Sequence, residues 1–371
     1  MNENVSYKNV VQYAGAFIAF LIGSGFATGQ EVLQYFCAYG YKGIIGVGVI
    51  FALFLYVGID FITVGQKEKF AKGSDIYSYY CGKHLGKFFD YFSILFIYMS
   101  FIVMIAGAGA TVNEQYGLAV PVGGIIMGVL ATTTVLFGLG RIVEVIGKIG
   151  PVIVVLAIGL GLTALVGNPG GLTKANEILP TLNIMKASTN WFFAAGSYVG
   201  FCMLWLASFM AAMGATSNSR KEAAFGAAGG AIGFSLAVLV LSLGMLANIE
   251  VVATAMVPTL FLARNIHPMV ASIFAVIVVA GIYTTAVPLL WSVSARFTTE
   301  KSKQFKLLTV VLAVIGVYVG LEIPFNKLVN VVYVINGYVG IILLAAMILK
   351  TFTRLSSKNR VVDYTEQAEI G

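Results

Sequence analysis

FLIGSGFATGQEVLQYF, residues 20–36, lies inside the first long apolar run of the chain and does not read as a plain membrane anchor. Three glycines, Gly23, Gly25 and Gly29, stand close together around Ser24 and Thr28, and Gln30 and Glu31 follow at once. The run covers residues 8–38, about 46 Å if wholly helical, against a hydrocarbon core of about 30 Å, and its midpoint falls at Gly23. Each glycine costs a helix about 1 kcal/mol relative to alanine, so the cluster weakens this helix at its centre. Unwound backbone at that depth is tolerated only where protein or a water-filled cavity meets its N–H and C=O groups. The pattern predicts a broken helix. Its second half, starting near Ala27, would turn free amides and the positive end of its dipole toward an anionic group, and carbonyls from Ala19 to Ile22 would face a cation. Read locally, Gly25 to Gly29 is also a GxxxG seam for packing one helix on another.

Composition sets the solvent. Of 371 residues, 59% are hydrophobic and 11% charged, with a mean hydropathy of +0.91. That much apolar surface belongs in a lipid bilayer, and soluble enzyme classes are poor guides to it. The start, MNENVSYKNV, is polar without being strongly basic, and the apolar segment after it is too long for a cleavable leader. Cys37, Cys81 and Cys202 form neither a disulfide framework nor a zinc spacing, and His84 and His267 are far apart. No cofactor is expected. The net charge of +7 fits cytoplasmic loops better than a nucleic-acid partner.

The apolar pattern predicts an all-α membrane protein of ten spans, at 8–38, 43–66, 88–115, 119–139, 143–167, 188–215, 222–247, 267–297, 304–322 and 325–351. One side then holds Lys8, Lys67, Lys69, Lys72, Lys83, Lys87, Arg141, Lys148, Arg220, Lys221, Arg296, Lys301, Lys303, Lys306, Lys350, Arg354, Lys358 and Arg360. The other holds Lys42, Lys174, Lys186, Arg264 and Lys327. The excess puts both termini in the cytoplasm, with 352–371 as a loose polar tail. The stretch GSDIYSYYCGKHLGKFFDYF reads as a short interfacial helix before the third span, and Ile249 to Ile266 as a helical hairpin over the outer face.

An echo of the first break occurs in the sixth span, where AAGSYVGFCMLW places Gly196, Ser197 and Gly200 near the middle. The two spans are five apart in order, so they run in opposite directions. Paired interruptions of this kind are the signature of an inverted repeat, here 8–167 and 188–351 within a single transmembrane domain, with both helices broken.

GSGFATGQE resembles the glycine-serine-glycine signature of amino-acid/polyamine/organocation permeases, although those usually continue differently after the second glycine. The longer AGAFIAFLIGSGFATGQEVLQYF is similar to the YkvI-type amino-acid permeases of bacteria, and the ten-span layout extends that likeness over most of the chain. The resemblance implies a LeuT fold in a bacterial cytoplasmic membrane. It implies that Gly23, Ser24 and Gly25, with Phe26 beside them, meet a substrate carboxylate, and that carbonyls near Ile22 and around Gly196 to Gly200 face its amino group. Tyr98, Phe201 and Trp205 are candidate cavity walls, weak ones in a chain that is 13% aromatic.

In AGIYTTAVPLLW, Gly281, Thr284 and Thr285 share one helix face. Sodium-coupled LeuT-fold transporters carry a small residue followed by Thr or Ser at this spacing, completed by two carbonyls before the first break, here Ala19 and Ile22. The same threonines suit a kink at Pro288. For proton coupling some relatives place a lysine in the fifth span, where PVIVVLAIGLGLTALV has no ionisable residue. Glu31 and Asp60 are the carboxylates at or near membrane depth, and either is a candidate for coupling or gating. The expectation is a secondary transporter of a small zwitterionic solute, an amino acid, coupled to sodium. A proton-coupled permease and a non-transporting receptor, like the membrane subunits of spore germinant receptors, are the alternatives. The solute's identity and the oligomeric state stay open.

Overall fold

The computed structural model describes residues 5–137 and 142–369, including the side chains of all but 142–150 and 355–369. Among the described residues every regular element is helical. The first apolar run forms three short helices, α1 (Tyr7–Leu21), α2 (Ser24–Thr28) and α3 (Gln30–Tyr35). Long helices follow: α4 (Tyr41–Glu68), α5 (Asp75–Tyr116), α6 (Val120–Phe137) and α7 (Ile142–Gly167). After α8 (Pro169–Ile178) come α9 (Trp191–Ala215) and α10 (Arg220–Ala247). The chain ends with α11 (Ile249–Val252), α12 (Pro258–Ile266), α13 (Pro268–Phe297), α14 (Lys303–Glu322) and α15 (Phe325–Glu369).

Eight described helices are long and apolar enough to cross a membrane, or nine spans if Pro151–Gly167 and Pro169–Thr181, bent by 88°, count as one. α1 falls short because it ends at the break; at 15 residues it covers about 22 Å. The turn expected between the fourth and fifth spans lies outside the described residues, as does Arg141. The tail expected to be loose continues α15 as helix to Glu369.

α9 runs through the middle of the bundle, packed by α4, α15 and α5, and is buried nearly all round. It is continuous from Trp191 to Ala215, so the expected break in the sixth span is absent. The physical reason is close packing. A methyl group added at Gly200 would land on the carbonyl oxygen of Gly337 in α15. The small residues Ser197 and Gly200 bring two backbones together, the ordinary use of such positions in lipid.

The segment before the third span also departs from expectation. Gly82 (φ 71°, ψ −178°) interrupts α5 after a short first stretch. Ile76, Tyr77 and Tyr80 in that stretch are buried, and the Tyr77 hydroxyl donates to Leu204 O at 2.5 Å. It packs into the bundle rather than lying on an interface. The expected hairpin of 249–266 does form, as α11 and α12, and it lies over the break in the first run: Thr259 Oγ1 donates to Ala27 O at 2.9 Å.

Candidate functional site

The site is built around the break. α1 closes at Leu21; Ile22 (φ −89°, ψ 107°) and Gly23 (φ −116°, ψ −171°) are extended, and helix resumes at Ser24, three residues earlier than expected. α2 lasts five residues before Gly29 turns left-handed at φ 87°. An L side chain strains there, and a Cβ on Gly29 would also press on Met245, Thr259 and Pro258. Gly25 and Gly29 are therefore not one face of a continuous helix, and the GxxxG seam does not form. Ser24 is held by α5, its amide on Met104 Sδ at 3.4 Å and its hydroxyl on Val103 O at 3.5 Å.

A cavity of about 830 Å³ begins at the break, against Ile22, Gly23, Thr285 and Trp205, and reaches Lys72, Asp90 and Arg296. Those last three lie at the lysine-rich end of the bundle. There Arg296 pairs with Asp90 at 2.6 Å. Their sequence signal was only that of charges near helix ends, so this mouth was not foreseen.

On the other side the break is sealed by side-chain amides. Gln30 Nε2 donates to Ala255 O at 2.6 Å, and Gln34 Nε2 to Gln30 Oε1 and Asn326 O, both at 2.9 Å. Asn330 Nδ2 donates to Gln34 Oε1 and Lys186 O, both at 3.0 Å. Gln30 and Gln34, one helical turn apart in an apolar run, were the visible signal of this seal; its partners come from distant segments. The cavity thus reaches one end of the bundle only.

At the inner edge of the cavity the five oxygen-bearing residues expected to hold a cation come together in part. The extended Ile22 turns its carbonyl off α1 toward α13, where Thr285 Oγ1 lies 3.2 Å away. Thr285 Oγ1 is also 3.1 Å from Gly281 O, and Thr284 Oγ1 is 2.8 Å from the same oxygen. Ala19 O receives the Ile22 amide at 3.4 Å. Ala19, Ile22, Thr284 and Thr285 all line the cavity. Hydroxyl and carbonyl oxygens are the donors hard cations take. α13 passes through Pro288 without a break.

The other expected residues divide. Gly23 lines the cavity; Ser24, Gly25, Phe26, Gly196, Ser197, Gly200 and Phe201 do not. Phe26 is buried against Phe234, with ring centroids 5.2 Å apart. Gly25 is covered by Glu31, whose Cγ and Cδ lie 2.6 and 2.7 Å from where a Cβ on Gly25 would stand. Phe201 stacks on Tyr333 at 4.7 Å behind the cavity wall. The Tyr98 hydroxyl donates to Leu312 O at 2.9 Å, which ties α5 to α14 away from the cavity. Asp60 accepts from Tyr80 at 2.8 Å and pairs with Arg354 at 3.1 Å, joining α4, α5 and α15 at the lysine-rich end. Such a cross-helix pair accounts for Asp60 structurally. Glu31 is 2% exposed and accepts from the Tyr198 hydroxyl at 3.1 Å.

No protein-family model matches the chain. The chain is homologous to the uncharacterized membrane protein YkvI of Bacillus subtilis, 22% identical over 352 residues that cover 93% of this chain and 97% of YkvI. A shorter stretch of 93 residues, 25% of this chain and 27% of its relative, is 30% identical to the uncharacterized protein YyaD of the same organism. Among solved structures, the inward facing conformation of Mhp1 matches with a TM-score of 0.59 at 15% identity, covering 88% of this chain and 72% of Mhp1. MhsT in complex with L-phenylalanine matches with a TM-score of 0.57 at 14% identity, covering 85% of this chain and 79% of MhsT. The fold is that of the LeuT group, and the chain is an all-helical membrane protein.

Proposed function

We propose that this homologue of YkvI is a secondary transporter that carries a small amino-bearing solute, an amino acid in the first instance, together with sodium. It works by alternating access in the bacterial cytoplasmic membrane, with both termini inside. One observation carries the reading: the break at Ile22–Gly23 places the Ile22 carbonyl 3.2 Å from Thr285 Oγ1 at the closed end of a cavity of about 830 Å³. A membrane anchor needs neither a broken helix nor a solute-sized cavity ending on it. Ten spans in two inverted halves, 8–167 and 188–351, belong to this proposal, with one broken helix instead of two.

The neighbours support the reading through what they bind: MhsT holds L-phenylalanine, and Mhp1, a nucleobase-cation-symport-1 family transporter, holds bromovinylhydantoin. If the lysine-rich end is cytoplasmic, the amide seal is the closed outer gate and the conformation is inward-facing. Sodium would sit among Ala19 O, Ile22 O, Gly281 O and the hydroxyls of Thr284 and Thr285, bridging α1 and α13 beside the solute. Filling the site then fixes the broken helix against α13 and prepares the adjoining surface for the solute.

The test is thermal stability of the purified protein against a panel of amino acids, with and without sodium, since a ligand of the folded state raises its stability. A sodium-dependent shift with one amino acid, lost in Thr285→Ala, is the expected result. A shift indifferent to sodium moves the assignment to proton coupling or to a receptor. No shift with sodium or any amino acid removes it.

A further inference from the structure

We infer that Glu31 receives the positively charged amino group of the solute, so that the site selects for an amine and does not require a carboxylate. This deepens the transporter reading and rests on it. The expectation from the sequence was the reverse: an anion on the free amides after the break. In the structure that position is already taken by a carboxyl group, because Glu31 folds back from α3 over Gly25, one turn of chain from the break. A solute carboxylate brought there would compete with the Glu31 carboxyl for the same donors.

The surroundings of Glu31 lack a positive partner. The Tyr198 hydroxyl donates to it and the Phe26 amide faces it, and among the described residues no lysine, arginine or histidine pairs with it. The polar groups close enough to feel its charge are Tyr35 from α3, Tyr198 and Cys202 from α9, and Tyr333 from α15. Two of these are incomplete: the hydroxyls of Tyr35 and Tyr333 are buried without a hydrogen-bond partner. Leaving a buried polar group unsatisfied costs about 1–3 kcal/mol each, and an unpaired buried charge costs more, so such a group is ordinarily completed by something.

An ammonium group matches what is missing. It carries one positive charge and three N–H donors, against one carboxyl oxygen and two phenol oxygens that all accept. The rings add to this: Tyr35 lies 5.2 Å from Tyr198 and 5.7 Å from Phe201, and ring faces attract cations. The cluster stands directly behind the end of the cavity, since Tyr333 Oη is 3.8 Å from where a Cβ on Gly23 would be, and Gly23 lines the cavity. Tyr333, stacked on Phe201 at 4.7 Å, stands between the two spaces, and the proposal requires it to swing aside.

The experiment uses the purified full-length protein in saturating sodium. Its probes are three matched sets: phenylalanine, leucine and alanine, each with the amine lacking its carboxylate and the acid lacking its amino group. In the set that binds, the amino acid and the amine are expected to stabilise the protein and the acid is not. Glu31→Gln, nearly the same shape without the charge, should weaken both by about ten- to hundredfold, the scale of a hydrogen bond to a charged group. The sodium shift measured without solute should persist in that variant and serves as the check on folding. Tyr198→Phe, which removes the side-chain donor to Glu31, provides a second route if the glutamine variant does not fold, and it should change amine affinity and leave the sodium shift in place. Binding of the acid as tight as that of the amino acid, or amine binding unchanged in Glu31→Gln, overturns the inference and leaves the transporter reading intact. An effect of Glu31→Gln on sodium alone also overturns it, assigning the carboxyl to an inorganic cation. If no probe binds and sodium gives no shift, both readings fall together.

Discussion

Replacing Thr285 by alanine tests the cation site at its most informative atom. Thr285 Oγ1 is the group that bridges the two helices, 3.2 Å from Ile22 O and 3.1 Å from Gly281 O. Two effects follow, and they separate. Without sodium, the variant loses the one hydrogen bond that the hydroxyl donates to Ile22 O or Gly281 O, worth about 0.5–1.5 kcal/mol, and its unfolding temperature falls by a fixed amount. With sodium, it lacks one oxygen of the ligand set. Taking the loss as that of a hydrogen bond to a charged group, about 1.5–3 kcal/mol, the sodium Kd rises by about ten- to hundredfold. At a concentration of 100 times the native Kd, sodium stabilises the native protein by about 2.7 kcal/mol. The same concentration stabilises a variant with a tenfold weaker site by about 1.4 kcal/mol, and one with a hundredfold weaker site by about 0.4 kcal/mol. The measurement is the sodium-dependent increment of the unfolding temperature, titrated in choline chloride to hold ionic strength, with Thr285→Ser as the control that restores the hydroxyl. If Thr285→Ala lowers the baseline but keeps the whole increment, the hydroxyl is a helix-packing group and the cation assignment is wrong.

Four further outcomes follow from the packing. Gly200→Leu should destabilise the protein by about 1–3 kcal/mol, because any Cβ there strikes the Gly337 carbonyl. Gly196→Ala meets only Ile341 Cδ1 at 3.9 Å and should shift stability by no more than about 0.5 kcal/mol, so comparing their unfolding temperatures distinguishes a packing seam from an unwound site. Gln34→Leu removes the hydrogen bonds to Gln30, Asn326 and Asn330 that close the end away from the lysines, and a cysteine placed at Ala255 should then react faster with a membrane-impermeant maleimide; an unchanged rate would mean that the amides do not hold this end shut. Asp60→Asn should cost about 1 kcal/mol or less for the partly exposed pair with Arg354, while solute and sodium affinities measured by the same thermal shifts stay native; a change in either would return Asp60 to the coupling machinery.

Much of the fold was legible because bilayer chemistry writes it into composition and period. Long apolar runs separated by basic turns specify membrane helices without reference to any partner, and a glycine cluster at mid-depth of an over-long run specifies a weak point whatever packs against it. The spacing of Gly281, Thr284 and Thr285 was readable for the same reason: three positions on one helix face are set by the helix itself. The sixth span was misread because a glycine has two uses. Gly23 stands next to extended backbone, whereas Gly200 sits under the carbonyl of Gly337, more than a hundred residues away, and nothing local distinguishes them. Glu31 shows the same division. The sequence by itself determined that an apolar helix breaks at Gly23 and carries a carboxyl group just beyond it, since both depend on residues a few positions apart. Only the tertiary structure decided that this carboxyl folds back over Gly25, that Tyr198 holds it, and that Thr285 meets Ile22, because each needs helices distant in the chain to converge on one short extended segment.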